Sequence, residues 1–308
     1  MTNYDARGER ATRDVVSRGI YAEMRAGRTG PMGGVYIQMS HLGPEKVAKT
    51  FPGMVNRCSD CGFDLAGGRV EVVPTAHYLM GGVEFNVDCS TASPGLFAAG
   101  EDCGGVHGAN RLGGNGVANS TVFGGIAGDA MADYVPGVRQ WKEPDRRVIE
   151  RGIERAEYPF SKPAGAIHEL RDALAQTMWD DVGVLRHDAA MRRGLESVAS
   201  HHRALMAIGV PDGDRRYNVT WHDWLNLQSL VDMSRVITVS ALAREDSRGA
   251  HFREDFPETG DLHSSRYTRV SADGDDLRLE MVPVKFDIVR PGTSLISGEA
   301  GQPPKVAA

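Results

Sequence analysis

Cysteine is scarce, with four residues in a chain of 308: Cys58, Cys61, Cys89 and Cys103. That is too few for a disulfide scaffold at this length and points to a reducing compartment. No apolar run approaches the ~20 residues that a membrane-crossing helix needs. The segment from Met1 to Arg10 is polar and charged where a secretory leader would carry an apolar core, so the chain is read as cytoplasmic. Lys and Arg do not cluster between aromatics, and a net charge of -6 with a pI near 5.9 supplies no positive field, which excludes nucleic acid as a partner. The glycine-rich stretch 105–119 lacks the Gly-Lys-Ser/Thr of a phosphate loop. Asn119 stands where a dinucleotide loop beginning at Gly114 and Gly116 would need its third glycine, so a free-standing nucleotide loop is excluded as well.

What is present is ordinary globular composition, 41% hydrophobic and 25% charged, in a chain long enough for roughly two domains with cores of their own. Val15, Val16, Ile20 and Met24 share one side of a helical wheel, which predicts a helix over 12–24 ended by glycines at 27–34. Short apolar runs predict strands over 36–39, 70–74 and 95–99, with a polar turn at Gly43-Pro44 and a strand at Gly100-Glu101. Cys58-Ser59-Asp60-Cys61 has metal or redox spacing. With no second pair, and placed in a loop before Gly62, it reads as structural thiols.

A helix is predicted over 116–134 with Asn115 as its cap. Gly124 and Gly128 fall on one face, and glycine in mid-helix costs about 1 kcal/mol against alanine, so a close approach by backbone or ligand is expected there. A linker around 141–144 precedes helical periodicity over 146–156, 164–179, 189–206 and 221–244. Trp221, Trp224, Leu225 and Leu227 read as a core stripe. His187, His201, His202 and His222 lack regularly spaced carboxylates and read as solvated or packed side chains, with no metal site. A strand pair is expected over 277–289, and 291–308 reads as loop or disorder.

The chemistry concentrates in a loop holding His107, Asn110 and Arg111, followed by a helix whose amino-terminal end begins near Asn115. Such an end aims unpaired backbone donors and a partial positive charge at an adjacent anion. Three blocks surround it in order: Val73-Pro74-Thr75-Ala76-His77-Tyr78-Leu79-Met80-Gly81-Gly82, then Gly95-Leu96-Phe97-Ala98-Ala99-Gly100-Glu101, then His107-Gly108-Ala109-Asn110-Arg111-Leu112-Gly113-Gly114-Asn115. With Asp246-Ser247-Arg248-Gly249-Ala250-His251 and Asp255-Phe256-Pro257, they resemble the succinate dehydrogenase/fumarate reductase flavoproteins over most of the chain.

The resemblance implies an α+β multidomain fold: partial FAD-binding (Rossmann-like) and capping-domain segments, then a helical domain and a short β/loop tail. It places the end of the capping domain at 1–69 and a returning segment of the FAD-binding domain at 70–136. The helical domain follows at 137–260 and the tail at 261–308. It implies FAD as cofactor and interconversion of succinate and fumarate by hydride transfer. His77 and Arg111 would bind the substrate carboxylates, Glu101 the ribityl hydroxyls, and the backbone of Gly116 and Val117 the flavin ring. Most members carry Ser-Leu where this chain has Gly116-Val117, so backbone donation is retained and a hydroxyl is lost. The family's proton-donor arginine is expected upstream of Met1, as are a second substrate histidine and a threonine. His251 is expected near the rim of the active site.

The partners implied are an amino-terminal flavoprotein half, a membrane anchor and an iron–sulfur subunit, which together would hold the chain peripherally at the cytoplasmic face. Two other readings stand beside this one. An L-aspartate oxidase also accepts a dicarboxylate, whereas a truncated, non-catalytic assembly module would account for the missing cofactor fingerprint. Adenylylsulfate reductase is more distant, and the dicarboxylate pair His77 and Arg111 argues against it.

Overall fold

The computed structural model describes residues 1–139, 143–274 and 276–293. Most of the linker expected around 141–144 and of the tail expected at 291–308 lies outside the described residues. The chain divides into two compact units, Met1–Tyr78 and a second beginning at Leu79, which are described separately.

In the first unit, α1 (Arg13–Arg25) follows the expected helix within a residue and buries Gly19 and Tyr21, while Val15, Val16, Ile20 and Met24 are half-buried beside them. β1 (Val35–Gln38) and β2 (Arg69–Val72) pair antiparallel, with Val35 opposite Val72 and Gln38 opposite Arg69. Glu71 Oε1 accepts the Met32 and Gly34 amides at 3.0 and 2.7 Å, which ties the glycine-rich loop to β2.

Between the strands lie two short helices that the sequence reading left as turn and loop, α2 (Pro44–Thr50) and α3 (Pro52–Asp60). Each begins on a proline, whose fixed φ suits a first helical position and whose missing N–H would have no partner there anyway. Their core is Val47, Leu65 and Val70, with Val55, Cys58 and Phe63 packed around it. Cys58 therefore stands in the last turn of α3, with Cys61 as the helix cap, instead of in a loop.

In the second unit, α4 (Asn115–Tyr134) runs over the expected residues, but its N-cap is Gly114, not Asn115, and no side chain among the described residues caps it. No heavy atom lies within 4 Å of a Cβ built on Gly124 or Gly128, so the close approach expected at these glycines is not made by the described part of the chain.

Four helices follow: α5 (Arg146–Glu157), α6 (Ile167–Val182), α7 (Asp188–Ala207) and α8 (Val219–Ala243). Polar side chains start three of them, each satisfying an amide that has no helical partner. Asp145 accepts from Arg147, His187 from Ala189, and Asn218 from Trp221. Ile167, Leu174, Val198, Leu205, Trp224, Leu227 and Val231 form the core, and Trp221 packs against it. The indole N–H groups are satisfied on carbonyls, Trp221 on Ala156 at 2.7 Å and Trp224 on Ile208 at 3.0 Å.

β3 (Arg266–Asp273) and β4 (Asp276–Pro283) form an antiparallel hairpin in register from Arg266 opposite Pro283 to Asp273 opposite Asp276. The expected strand pair over 277–289 thus corresponds to one strand only. Its true partner is too polar and exposed to show hydrophobic alternation. No strand covers 95–99 either, where Ser90 and Phe97 make an isolated bridge and Phe97 stacks edge-on against Tyr134 at 5.7 Å. The apolar run reflects that ring contact. Among the described residues, no helix is long and apolar enough to cross a membrane.

Candidate functional site

Residues 100–111 contain no regular helix or strand, yet they are held at several places within the second unit. Gly100 O accepts from Asn119 Nδ2 at 3.1 Å, and the same amide lies 3.2 Å from His107 Nε2. An amide nitrogen can only donate, so this imidazole nitrogen is the acceptor and the ring proton sits on Nδ1. Asn119 projects from the first turns of α4 and is 4% exposed. It anchors both ends of the loop to the helix. Gly100 and Glu101 are accordingly a bend and a turn, not the expected strand.

The opposite side of the loop is stapled to residues 79–83. Glu101 Oε1 accepts the Leu79 amide at 2.9 Å, Val83 donates to Asp102 O at 2.7 Å, and Gly104 donates to Val83 O at 3.1 Å. A Cβ on Gly82 would stand 2.1 Å from Asp102 O, so only glycine allows this backbone contact. The Arg111 amide meets Met80 Sδ at 3.0 Å, and its guanidinium Nη1 donates to Leu112 O at 3.4 Å. The last hold is at Ala109, whose carbonyl accepts the Ala250 amide at 3.0 Å.

The turn that provides this hold is itself clamped. Arg186 Nη1 donates to His251 Nδ1 at 2.7 Å and Arg186 Nε to Val182 O at 3.0 Å. Burial, and then the Arg186 charge, push the His251 imidazole down to about 4. Burial also brings the Arg186 guanidinium down to about 10. Arg253, 1% exposed, donates through Nη1 to the carbonyls of Ala241, Leu242 and Arg244 and pairs with Asp255. That guanidinium holds the Asp255 carboxyl far below its usual range.

The residues expected from the sequence fall as follows. Glu101, Arg111, Gly116 and Val117 all belong to the second unit, on the loop and on the first turn of α4 that follows it. Glu101 and Val117 are exposed, and Arg111 is half-buried. Glu101 already holds the Leu79 backbone. His77 is an exposed residue of the first unit, in the coil after β2. His107 takes the packing role of the two open to it. It is Gly249 and Ala250, rather than His251, that reach the loop. Sequence reasoning passed over Asn119 and Met80. The first was visible only as a misplaced glycine, although an Asn one turn inside a helix that follows a glycine loop suits an anchor to that loop.

The uncapped start of α4 leaves amide donors for an acceptor beside Gly116 and Val117, and the loop puts a guanidinium close to it in sequence. This donor set suits an anionic, planar cofactor edge and a carboxylate. Fold and donors together define a flavin-binding oxidoreductase class. Residues 2–117 match the FAD binding domain family, and residues 171–295 match the fumarate reductase flavoprotein C-terminal family.

The chain belongs to the succinate dehydrogenase/fumarate reductase flavoprotein family, whose cofactor is FAD. It is 42% identical over 268 residues to the fumarate reductase (CoM/CoB) of Methanothermobacter marburgensis, a match covering 84% of this chain and 47% of that protein. It is 29% identical to the L-aspartate oxidase of Synechocystis sp., over 83% of this chain and 48% of that enzyme. Among solved structures, Mycobacterium smegmatis Sdh1 in complex with UQ1 is similar with a TM-score of 0.79 at 33% identity, covering 92% of this chain and 48% of that one. The chain spans about half the length of the curated relatives it matches.

Proposed function

We propose that this chain forms part of a flavoprotein that interconverts succinate and fumarate. The observation that carries the reading is the placement of Arg111 at the end of a loop fixed along its length, beside the uncapped start of α4. A loop immobilised before substrate arrives loses little entropy on binding, and its donors need no reorganisation as charge shifts. Arg111 binds one carboxylate through its planar fork of donors, and His77 binds the other. Gly116 and Val117 donate backbone N–H groups to the electron-rich edge of the flavin ring, and Glu101 accepts from the ribityl hydroxyls. When bound, FAD exchanges hydride with a central carbon of the dicarboxylate. The proton on the opposite face is the task of an arginine in the amino-terminal flavoprotein half. An iron–sulfur subunit carries the electrons and a membrane anchor holds the assembly at the cytoplasmic face of the membrane. On the domain scale, 1–69 closes the capping domain, 70–136 returns to the FAD-binding domain, 137–260 is the helical domain and 261–308 the tail.

The test has two stages. Visible absorbance after FAD titration and extensive dialysis should show flavin retained by the wild-type chain, and equally by Arg111→Ala. With the amino-terminal half supplied, succinate oxidation by an artificial acceptor should then fall in Arg111→Ala by roughly 100-fold or more, because a charge-paired, oriented contact is lost. Undiminished turnover would reject Arg111 as the substrate ligand. Likeness to an L-aspartate oxidase keeps one alternative, which peroxide formation from aspartate would establish in its place.

A further inference from the structure

We infer that Gly249 is a positioning residue for Arg111, acting through the backbone of Ala109 and Asn110. The inference rests on the reading of Arg111 as a carboxylate ligand, but its physical basis is separate. A Cβ built on Gly249 would lie 2.5 Å from Ala109 O, 2.7 Å from Ala109 C and 2.8 Å from Asn110 Cβ. All three atoms belong to the loop, and the nearest two are backbone, which cannot swing aside as a side-chain end could. Gly249 also has a φ of +53°, a conformation that costs an L side chain energy. The neighbouring Ala250 amide donates to the same Ala109 carbonyl at 3.0 Å. The turn and the loop therefore meet backbone to backbone, with no space for a methyl group, two residues before Arg111.

The turn can act as a fixed stop because its own surroundings are over-determined. Arg248 and His251 exchange backbone hydrogen bonds at 2.8 and 3.0 Å. Ser247 Oγ accepts the Arg253 amide at 2.8 Å and donates to Phe256 O at 2.8 Å. Arg248 Nε donates to Thr259 O at 3.0 Å, and Arg186 holds the His251 ring. The arginine that grips the ligand is thus set in place by a turn 138 positions further along the sequence, counted from Arg111 to Gly249.

Gly249→Ala in the full chain tests this by hydrogen exchange of the peptide covering 107–112. Its exchange should accelerate at least about tenfold, as expected for a locally opened segment, while peptides of the α7 and α8 core keep their rates. Gly260→Ala is the control for backbone strain alone. Gly260 also has a positive φ, +70°, but the nearest atom to its Cβ is Arg248 Nη2 at 3.8 Å, and this variant should leave the loop unchanged. Unchanged loop exchange in Gly249→Ala, an equal effect from Gly260→Ala, or acceleration spread evenly over the α7 and α8 core would each overturn the inference. Should Gly249→Ala fail to fold, the wild-type Ala250 amide decides, since exchange at the rate of an unstructured peptide would refute the contact and protection would uphold it.

With the amino-terminal half supplied, Gly249→Ala should raise KM for the dicarboxylate about tenfold, more than it lowers kcat, because a misplaced ligand weakens capture. A looser loop with unchanged KM would refute the positioning role. Absence of turnover in the wild type as well would count against the dicarboxylate reading, and the exchange comparison would still judge the contact between turn and loop.

Discussion

At the scale of single residues, His251 makes a prediction about acidity. Its imidazole is pushed down to about 4 by burial and the facing Arg186 guanidinium, with the Arg244 charge acting in the same direction. The Arg244 carbonyl and the Asp246 carboxylate act the other way. Unfolded, the ring titrates near 6.5. Between those values the unfolded chain binds more protons than the folded one, so this histidine's contribution is fully present above about 6.5 and is lost as pH falls toward 4. Urea unfolding at pH 7, 6, 5 and 4 should therefore show a steeper acid loss of stability in the wild type than in His251→Gln. Parallel curves would mean that the ring protonates freely in the folded protein. Residues such as this were hard to read in sequence. His77, Glu101 and Arg111 stood out because each sits in a motif with a chemical rationale. Asn119, Arg186 and Arg253 did not, since their partners are backbone carbonyls and a ring set by tertiary folding, and a lone polar residue in a helical stretch carries no sign of what it will meet.

Among the elements, long helices were the legible ones. The four helices after residue 145 and α4 repeat apolar residues over enough turns for periodicity to prevail, and they appear within a few residues of their expected bounds. Short elements failed where another signal intruded. The prolines that begin α2 and α3 were taken as breaks, although proline is at home in a first turn. The apolar residues at 95–99 marked a ring contact and not a strand. The helical core gives its own prediction. Leu227 is 1% exposed amid Trp224, Leu205 and Val231, and the surrounding helices cannot collapse freely into a void. Leu227→Ala should cost about 2–5 kcal/mol, read as a lower urea midpoint with unchanged slope. Leu225→Ala, on a side chain that is only partly buried, should cost less. Equal losses would show that the core is more loosely packed than these burial values imply.

For the molecule as a whole, exposed apolar side chains gather on and just before α4: Leu112, Val117, Val122, Met131 and Val135. Contiguous apolar surface on a soluble chain drives association. Light scattering of the purified chain should rise with concentration, and Val122→Lys should reduce it; a wild type that stays monomeric at high concentration would contradict this. A different consequence follows from Arg253, whose guanidinium covers the carbonyls at the end of α8. These acceptors have no partner within the helix. On a ribosome adding about 5–20 residues per second, α8 is complete roughly a second before the arginine that finishes it has been made. The last turn of the helix bundle therefore cannot close in step with its synthesis. It waits for a residue ten positions beyond Ala243, and the pause is set by the order of the letters and not by the strength of any contact.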